Sequence, residues 1–255
     1  MSPGSSKEKK SAASSSGSRA RATALVVVGF DTATPDTAAC AWRDGESLHE
    51  SLLGLSADGS PRHASTLLTE VERAAGAAGG WEEVDLIAVG LGPGSFTGVR
   101  IGIATARGLA ASLGLPAPGV CTLDALAMGI EGPGARLVVC DARRGEVFAA
   151  LYSEAGERLW EPFVCRPQGL LERLETLGVP PRAAGSGAVR FRDELSRYAI
   201  PIADDADPVH RVAARHICAL AAAGRAAEAG PLDPIYLRPP DAERWRERDS
   251  VPRPE

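Results

Sequence analysis

The chain has 255 residues, a mass of 26.5 kDa and a formal net charge of −5. That length supports one large domain or two small ones with a substantial core. No apolar run approaches the roughly 18 residues of a membrane-spanning helix, and the acidic balance disfavours a folded body that grips nucleic acid by itself.

Residues 1–22 hold eight serines and no large apolar residue. Lys7, Lys9, Lys10, Arg19 and Arg21 against Glu8 give this stretch +4, which leaves −9 on the body. Its composition predicts a disordered basic tail. Leu25–Ala33 reads as a buried strand ending near Asp31. Thr37–Trp42 and Ser47–Leu55 read as two more strands about an Asp44-Gly45 turn. Ser60-Pro61 suits a helix start, and Leu67, Leu68, Val71, Ala74, Ala75 and Ala78 give that helix an apolar stripe. Asp85–Val89 is a further strand.

A glycine-rich turn, Gly90–Gly94, then opens a helix to about Leu113. Gly98, Gly102, Ala106 and Ala110 lie one turn apart and share a face. Glycine costs about 1 kcal/mol against alanine inside a helix. A helix that keeps Gly98, Gly102 and Gly108 therefore needs something close to its backbone: a phosphate, a core strand or another helix. The P-loop pattern fails because no Lys-Ser or Lys-Thr follows the glycines. The dinucleotide pattern fails because Thr97 stands where its third glycine belongs.

Ala117–Val120 and Thr122–Ile130 read as a short strand and a short helix. The order then begins again. Arg136–Asp141, Glu146–Tyr152 and Arg158–Cys165 are strands, and Gln168–Leu177, Val189–Tyr198 and Pro208–Ala223 are helices. Residues 241–255 read as an exposed, charged C-terminal tail. The predicted organisation is a tail (1–22), a first lobe (23–118), a smaller second lobe (119–240) and the terminal tail. Two strand-strand-strand-helix units in succession describe an α/β, actin/Hsp70-like (ASKHA, ribonuclease H-like) fold of duplicated βββαβα lobes, the second degenerate.

Asp31 and Asp141 occupy equivalent strand ends, as the phosphate-side aspartates of actin-fold ATPases and kinases do. Neither has a glycine beside it, and aspartates at such ends also cap turns. Ser95 follows a glycine turn but lacks the G-x-S-x-G frame of a nucleophile elbow. The five cysteines (Cys40, Cys121, Cys140, Cys165, Cys218) contain no C-x-x-C pair and read as reduced, mostly buried thiols. His49, His63, His210 and His216 form no H-x-x-x-H. No metal, cofactor or catalytic set is expected.

Five motifs in order resemble the TsaB (YeaZ) family. They are Asp31-Thr32-Ala33-Thr34, the Pro61-Arg62-His63 helix start, the run Gly92-Pro93-Gly94-Ser95-Phe96-Thr97-Gly98-Val99-Arg100-Ile101-Gly102, Asp141–Phe148 and Pro234–Arg238. They span about residues 24–240. The resemblance implies a bacterial, cytoplasmic factor for N6-threonylcarbamoyladenosine at position 37 of tRNAs that read codons beginning with A. In that pathway one enzyme makes threonylcarbamoyl-adenylate and TsaD transfers the threonylcarbamoyl group to adenosine. TsaB is an inactive paralogue that binds TsaD, with the ATPase TsaE joining them. It touches tRNA only indirectly and no membrane.

TsaD holds metal through paired histidines; here His63 is followed by Ala64, Ser65 and Thr66. In the family the helices at about 61–78 and 97–113 pack on their TsaD counterparts as a four-helix bundle, or on a second copy when TsaB is alone. The expected interface residues are His63, Leu67, Leu68 and Val71 from one helix, and Gly98, Gly102, Ala106 and Leu109 from the other. Arg100 and Arg107 either flank that interface or pair with Asp85 or Glu70. Arg143 and Arg144 sit in a hairpin turn, either as a tRNA or nucleotide contact or as a solvated turn. The alternatives to the scaffold reading are an actin-fold ATPase or kinase and a glycoprotease-like peptidase.

Overall fold

The computed structural model describes residues 24–224 and 232–238; the two predicted tails, 1–22 and 241–255, lie outside the described residues. β1 (Val26–Asp31) is buried from end to end, as an apolar strand covered on both faces must be. β2 (Thr37–Arg43) pairs antiparallel with it, and β3 (Glu46–Leu53) pairs with β2. Asp44 and Gly45 join β2 to β3 with φ of 46° and 98°, the paired positive values of a tight two-residue hairpin. β4 (Leu86–Gly90) and β5 (Gly119–Val120) extend the sheet in parallel on the other side of β1, in the order β3-β2-β1-β4-β5.

α1 (His63–Ala78) and α2 (Phe96–Leu113) cover one face of this sheet, where Leu67, Val71, Val99 and Ile103 pack on Val28, Phe30 and Val89. α1 begins two residues later than Pro61. Ser60 is held instead in the preceding loop, where its N–H donates to Asp58 and its carbonyl accepts from Ser56.

The second sheet repeats the pairing of the first. β6 (Arg136–Arg143), β7 (Glu146–Tyr152) and β8 (Arg158–Cys165) form an antiparallel meander, and β9 (Arg182–Ala184) adds parallel to β6. The fifth strand survives as a single parallel bridge, Ala183 to Ile202, with the Ala183 N–H donating to Pro201 at 2.9 Å. In the first sheet Ile87 and Val89 donate to Pro116 and Pro118 in the same way. The second lobe is thus a shortened copy of the first, and the actin/Hsp70-like duplication is present in the pairing itself. α4 (Pro167–Leu174), α5 (Ser186–Arg190) and α6 (Arg192–Ser196) cover its outer face. The single helix expected over 189–198 is two short ones, broken at Phe191 (φ −109°, ψ 30°).

α3 (Thr122–Met128) and α7 (Ala214–Ala222) lie between the sheets, in one apolar cluster with the inner faces of both. The helix expected from Pro208 is a 3-10 turn, Pro208–His210, then an extended Arg211, then α7. α7 packs directly on β1: a Cβ on Gly29 would lie 2.5 Å from the Cys218 sulfur. Asp124 of α3 accepts from the Tyr152 hydroxyl at 2.8 Å and from Arg158 at 2.9 and 2.6 Å, which ties α3 to β7 and β8.

These positions correct the predicted lobe boundary. β5 lies beyond residue 118 yet belongs to the first sheet. α7 and residues 232–238 also return to the first lobe. Ile235 N–H donates to the Leu91 carbonyl at 2.9 Å, and Arg211 forks onto Asp36 at 2.7 Å on both oxygens. All five cysteines are unbridged, and burial pushes the Cys121 and Cys140 thiols up to about 12.

Candidate functional site

β1 delivers Asp31 and Thr32 to the sheet's end, both fully buried. Asp31 accepts from the Ala33 N–H at 2.8 Å and from the Thr122 hydroxyl at 2.6 Å. Burial holds its carboxyl above the usual range, the Thr122 bond opposing. Thr122 in turn accepts from the Gly92 N–H at 3.1 Å, so α3 ties the strand end to the glycine-rich loop. Asp141, at the matching position, accepts from the Arg143 N–H at 2.9 Å. Each aspartate closes its hairpin turn by bonding the amide two residues on.

The loop Gly92–Ser95 contains a cis Gly92–Pro93 bond. Ser95 caps α2, its hydroxyl oxygen accepting from the Gly98 N–H at 3.2 Å. Its own N–H donates to Ala33 at 2.7 Å. Thr32 and Ala33 lie across the first two turns of α2. A Cβ on Gly94 would collide with the Ala33 carbonyl, and one on Gly98 with the Thr32 carbonyl. A Cβ on Gly102 would lie 2.6 Å from the Thr32 hydroxyl oxygen. That hydroxyl donates to the Gly98 carbonyl at 2.7 Å. The close neighbour of Gly98 and Gly102 is therefore the protein's own chain just past the end of β1, whereas Gly108 has none within 4 Å.

This corrects the expected interface. Gly98, Gly102 and Ala106 are buried on the first sheet's side of α2, and His63, Leu67 and Val71 on that side of α1. Small residues on one helix face serve a strand as well as a partner helix, and here the strand takes them. Of the eight residues, Leu68 (58% exposed) faces solvent and Leu109 is half-buried. The outward face of α2 carries Ala104, Arg107, Gly108 and Ala111, with open space over Gly108. Arg100 and Arg107 pair with neither Asp85 nor Glu70. Arg107 donates to the Leu232 carbonyl at 2.9 Å, and Arg100 to the Tyr236 hydroxyl at 2.9 Å.

The exposed part of the loop (Ser95, Phe96, Thr97) and Arg100 face an interlobe cleft of about 760 Å³. Thr34, Asp141, Arg143, Ser186, Arg190 and the strap at 235–238 complete its walls. Phe96 stacks on Tyr236 (centroids 5.2 Å apart), and the Arg100 guanidinium sits 3.6 Å over the Phe96 ring. Arg190 pairs with Asp141 at 2.7 Å, and Arg238 with Glu146 at 2.9 Å. Arg190 and Ser186 carried no sequence signal, because a single polar residue in a short helix has no periodicity to betray it.

His63 is buried, with Nδ1 on the Thr37 hydroxyl at 2.9 Å and, among the described residues, no hydrogen-bond partner for Nε2. Burial holds it below its ordinary 6.5, and burial followed by Arg215 does the same for His216. Among the described residues no three His, Cys, Asp or Glu side chains gather as a metal site. The unfolded chain takes up these two protons more readily than the folded one. Stability should therefore be full above pH 6.5 and fall below it, by at most about 1.4 kcal/mol per pH unit per histidine. Urea midpoints at about pH 7.5 and 5.5 test this; His63→Gln should flatten the slope, and an unchanged slope would refute the assignment.

The family model for TsaD, tRNA N6-adenosine threonylcarbamoyltransferase, matches residues 57–196. The Escherichia coli tRNA threonylcarbamoyladenosine biosynthesis protein TsaB is 31% identical over 231 residues, covering 83% of this chain and 94% of that protein. The chain belongs to the TsaB family. The uncharacterized Mycobacterium leprae protein ML0378 is 36% identical over 160 residues, which cover 63% of this chain; the chain spans 40% of that relative's length. The solved structure of YeaZ from Pseudomonas aeruginosa superposes with a TM-score of 0.64 at 26% identity, covering 84% of this chain and 100% of that one. The TsaB family is one of tRNA threonylcarbamoyladenosine biosynthesis. Among the described residues no helix is long and apolar enough to cross a membrane.

Proposed function

We propose that this chain is a non-catalytic, cytoplasmic partner of TsaD in forming N6-threonylcarbamoyladenosine at position 37 of tRNAs that read codons beginning with A. The observation that carries this reading is the commitment of both strand-end carboxylates. Asp31 is buried under two hydrogen bonds, and Asp141 is held by Arg190. An ATPase or kinase of this architecture needs such a carboxylate free at the phosphates and their metal. A peptidase needs a base beside its nucleophile, whereas the Ser95 hydroxyl caps α2.

The partner surface is the outward face of α1 and α2. Leu68 supplies an exposed apolar side chain, and Ala104 and Gly108 let a facing helix approach closely. The same face makes a homodimer when TsaD is absent, and TsaE joins the TsaD-bound form. Size-exclusion chromatography with light scattering, using the full chain and TsaD from the same genome, tests the reading. A heterodimer that forms as the homodimer dissolves is expected. No complex at about 50 µM, well above a micromolar Kd, with or without Mg-ATP, would overturn it.

A further inference from the structure

We propose that Cys40 and Cys218 form a redox-modification site, which hydrogen peroxide oxidises to a disulfide that locks α7 onto the first sheet. Cys40 lies on β2 and Cys218 on α7, in the apolar cluster between the sheets. Both are fully buried and unbridged. Gly29 of β1 faces Cys40 across the β1–β2 ladder. Side chains so opposed carry their Cβ atoms about 4.5–5.5 Å apart on the same face. Gly29 has no side chain, and the Cys218 sulfur fills that space, 2.5 Å from where a Cβ would sit. The same sulfur lies 3.7 Å from the Cys40 carbonyl oxygen. Glycine at 29 therefore brings the second thiol beside the first. Among the described residues no third donor gathers with them as a metal site.

The two thiols are unequal. Ser47, an exposed residue, shares a hydrogen bond with the Cys40 sulfur at 3.3 Å. A hydrogen bond with Cys218 lowers the Cys40 thiol, burial opposing, whereas burial raises the Cys218 thiol well above its ordinary value. Cys40 is thus the attacking thiol. Access comes with local opening of α7. That helix has no side-chain cap of its own at Ala213. Its first turn is held by Glu50, which accepts from the Arg215 N–H at 3.1 Å and from its guanidinium at 2.6 Å. The Cys40 sulfur attacks one peroxide oxygen, the O–O bond breaks, and a sulfenic acid and one water result. The Cys218 sulfur then attacks the Cys40 sulfur, the S–O bond breaks, and a second water leaves. The two thiol protons depart in those waters, and the pair's two electrons reduce the peroxide.

Peroxide treatment of the reduced full chain, at about 1 mM, tests the proposal. Peptide mass spectrometry should find Cys40 linked to Cys218, about 2 Da below the sum of the two thiol peptides. Dithiothreitol should remove the link. Thermal melting of the linked chain should shift upward by at least about 5 °C. Cys218→Ser should abolish both the link and the shift. The peptide map of the unmutated chain needs no variant, so it decides the matter even where Cys218→Ser fails to fold. No linked peptide, a link between other cysteines in its place, or a linked chain that melts no higher would each overturn the proposal.

Discussion

Gly98→Ala should destabilise the fold by about 2 kcal/mol or more, while Gly76→Ala should stabilise it by up to about 1 kcal/mol. Both glycines lie inside helices, so both substitutions gain the same helix propensity. They differ in what the new methyl meets. Over Gly76 nothing lies within 4 Å. Over Gly98 the methyl meets the Thr32 carbonyl, a backbone atom in the residue that follows the end of β1. Relief requires lifting α2 from the sheet. That breaks the Thr32–Gly98 hydrogen bond, worth about 1 kcal/mol, and adds overpacking of about 1–3 kcal/mol. Urea denaturation should show opposite shifts in midpoint at constant slope. Equal shifts would mean that Thr32 does not lie against α2.

Under the proposed scaffold role, Ala104→Arg should leave the monomer folded and weaken TsaD binding at least about 100-fold, about 2.7 kcal/mol. Ala104 points outward on α2, so the arginine meets solvent in the monomer and steric bulk in a close helix pair. Gly102→Arg serves as the contrast. Its side chain would drive into Thr32 and Val89, and it should unfold the first lobe. Thermal melts and light scattering separate the two effects. A folded Ala104→Arg variant that binds TsaD normally would move the interface off this face.

Much of the fold was legible because apolar strand runs and turn residues alternate plainly. The repeat of three strands and a helix is visible without any sequence similarity between the halves. β9 was not: Arg182-Ala183-Ala184 lacks β-branched or aromatic side chains and is held by its neighbours. The break at Phe191 has no glycine or proline to announce it. The glycine stripe of α2 was legible as a close approach, but its direction was not. Whether Gly98 and Gly102 meet a partner or their own sheet depends on Thr32, a contact 66 residues away along the chain. The cleft is similar. Arg143 and Tyr236 stood in recognised motifs, whereas Arg190 and Ser186 reach the cleft only through the placement of α5.

The return of α7 to β1 sets an order on the protein's synthesis. β1 leaves the ribosome before every other described element, yet its inner face is covered by Ile217 and Cys218, near the other end of the described chain. The whole second lobe is made in between. A nascent chain therefore carries an unfinished apolar face while the whole second lobe is made, and contacts so distant in sequence are slow to close. A stop anywhere before residue 214 removes α7 (Ala214–Ala222) entirely. Such a fragment would expose sheet surface that invites chaperones or aggregation, whatever the quality of the strands it has already paired.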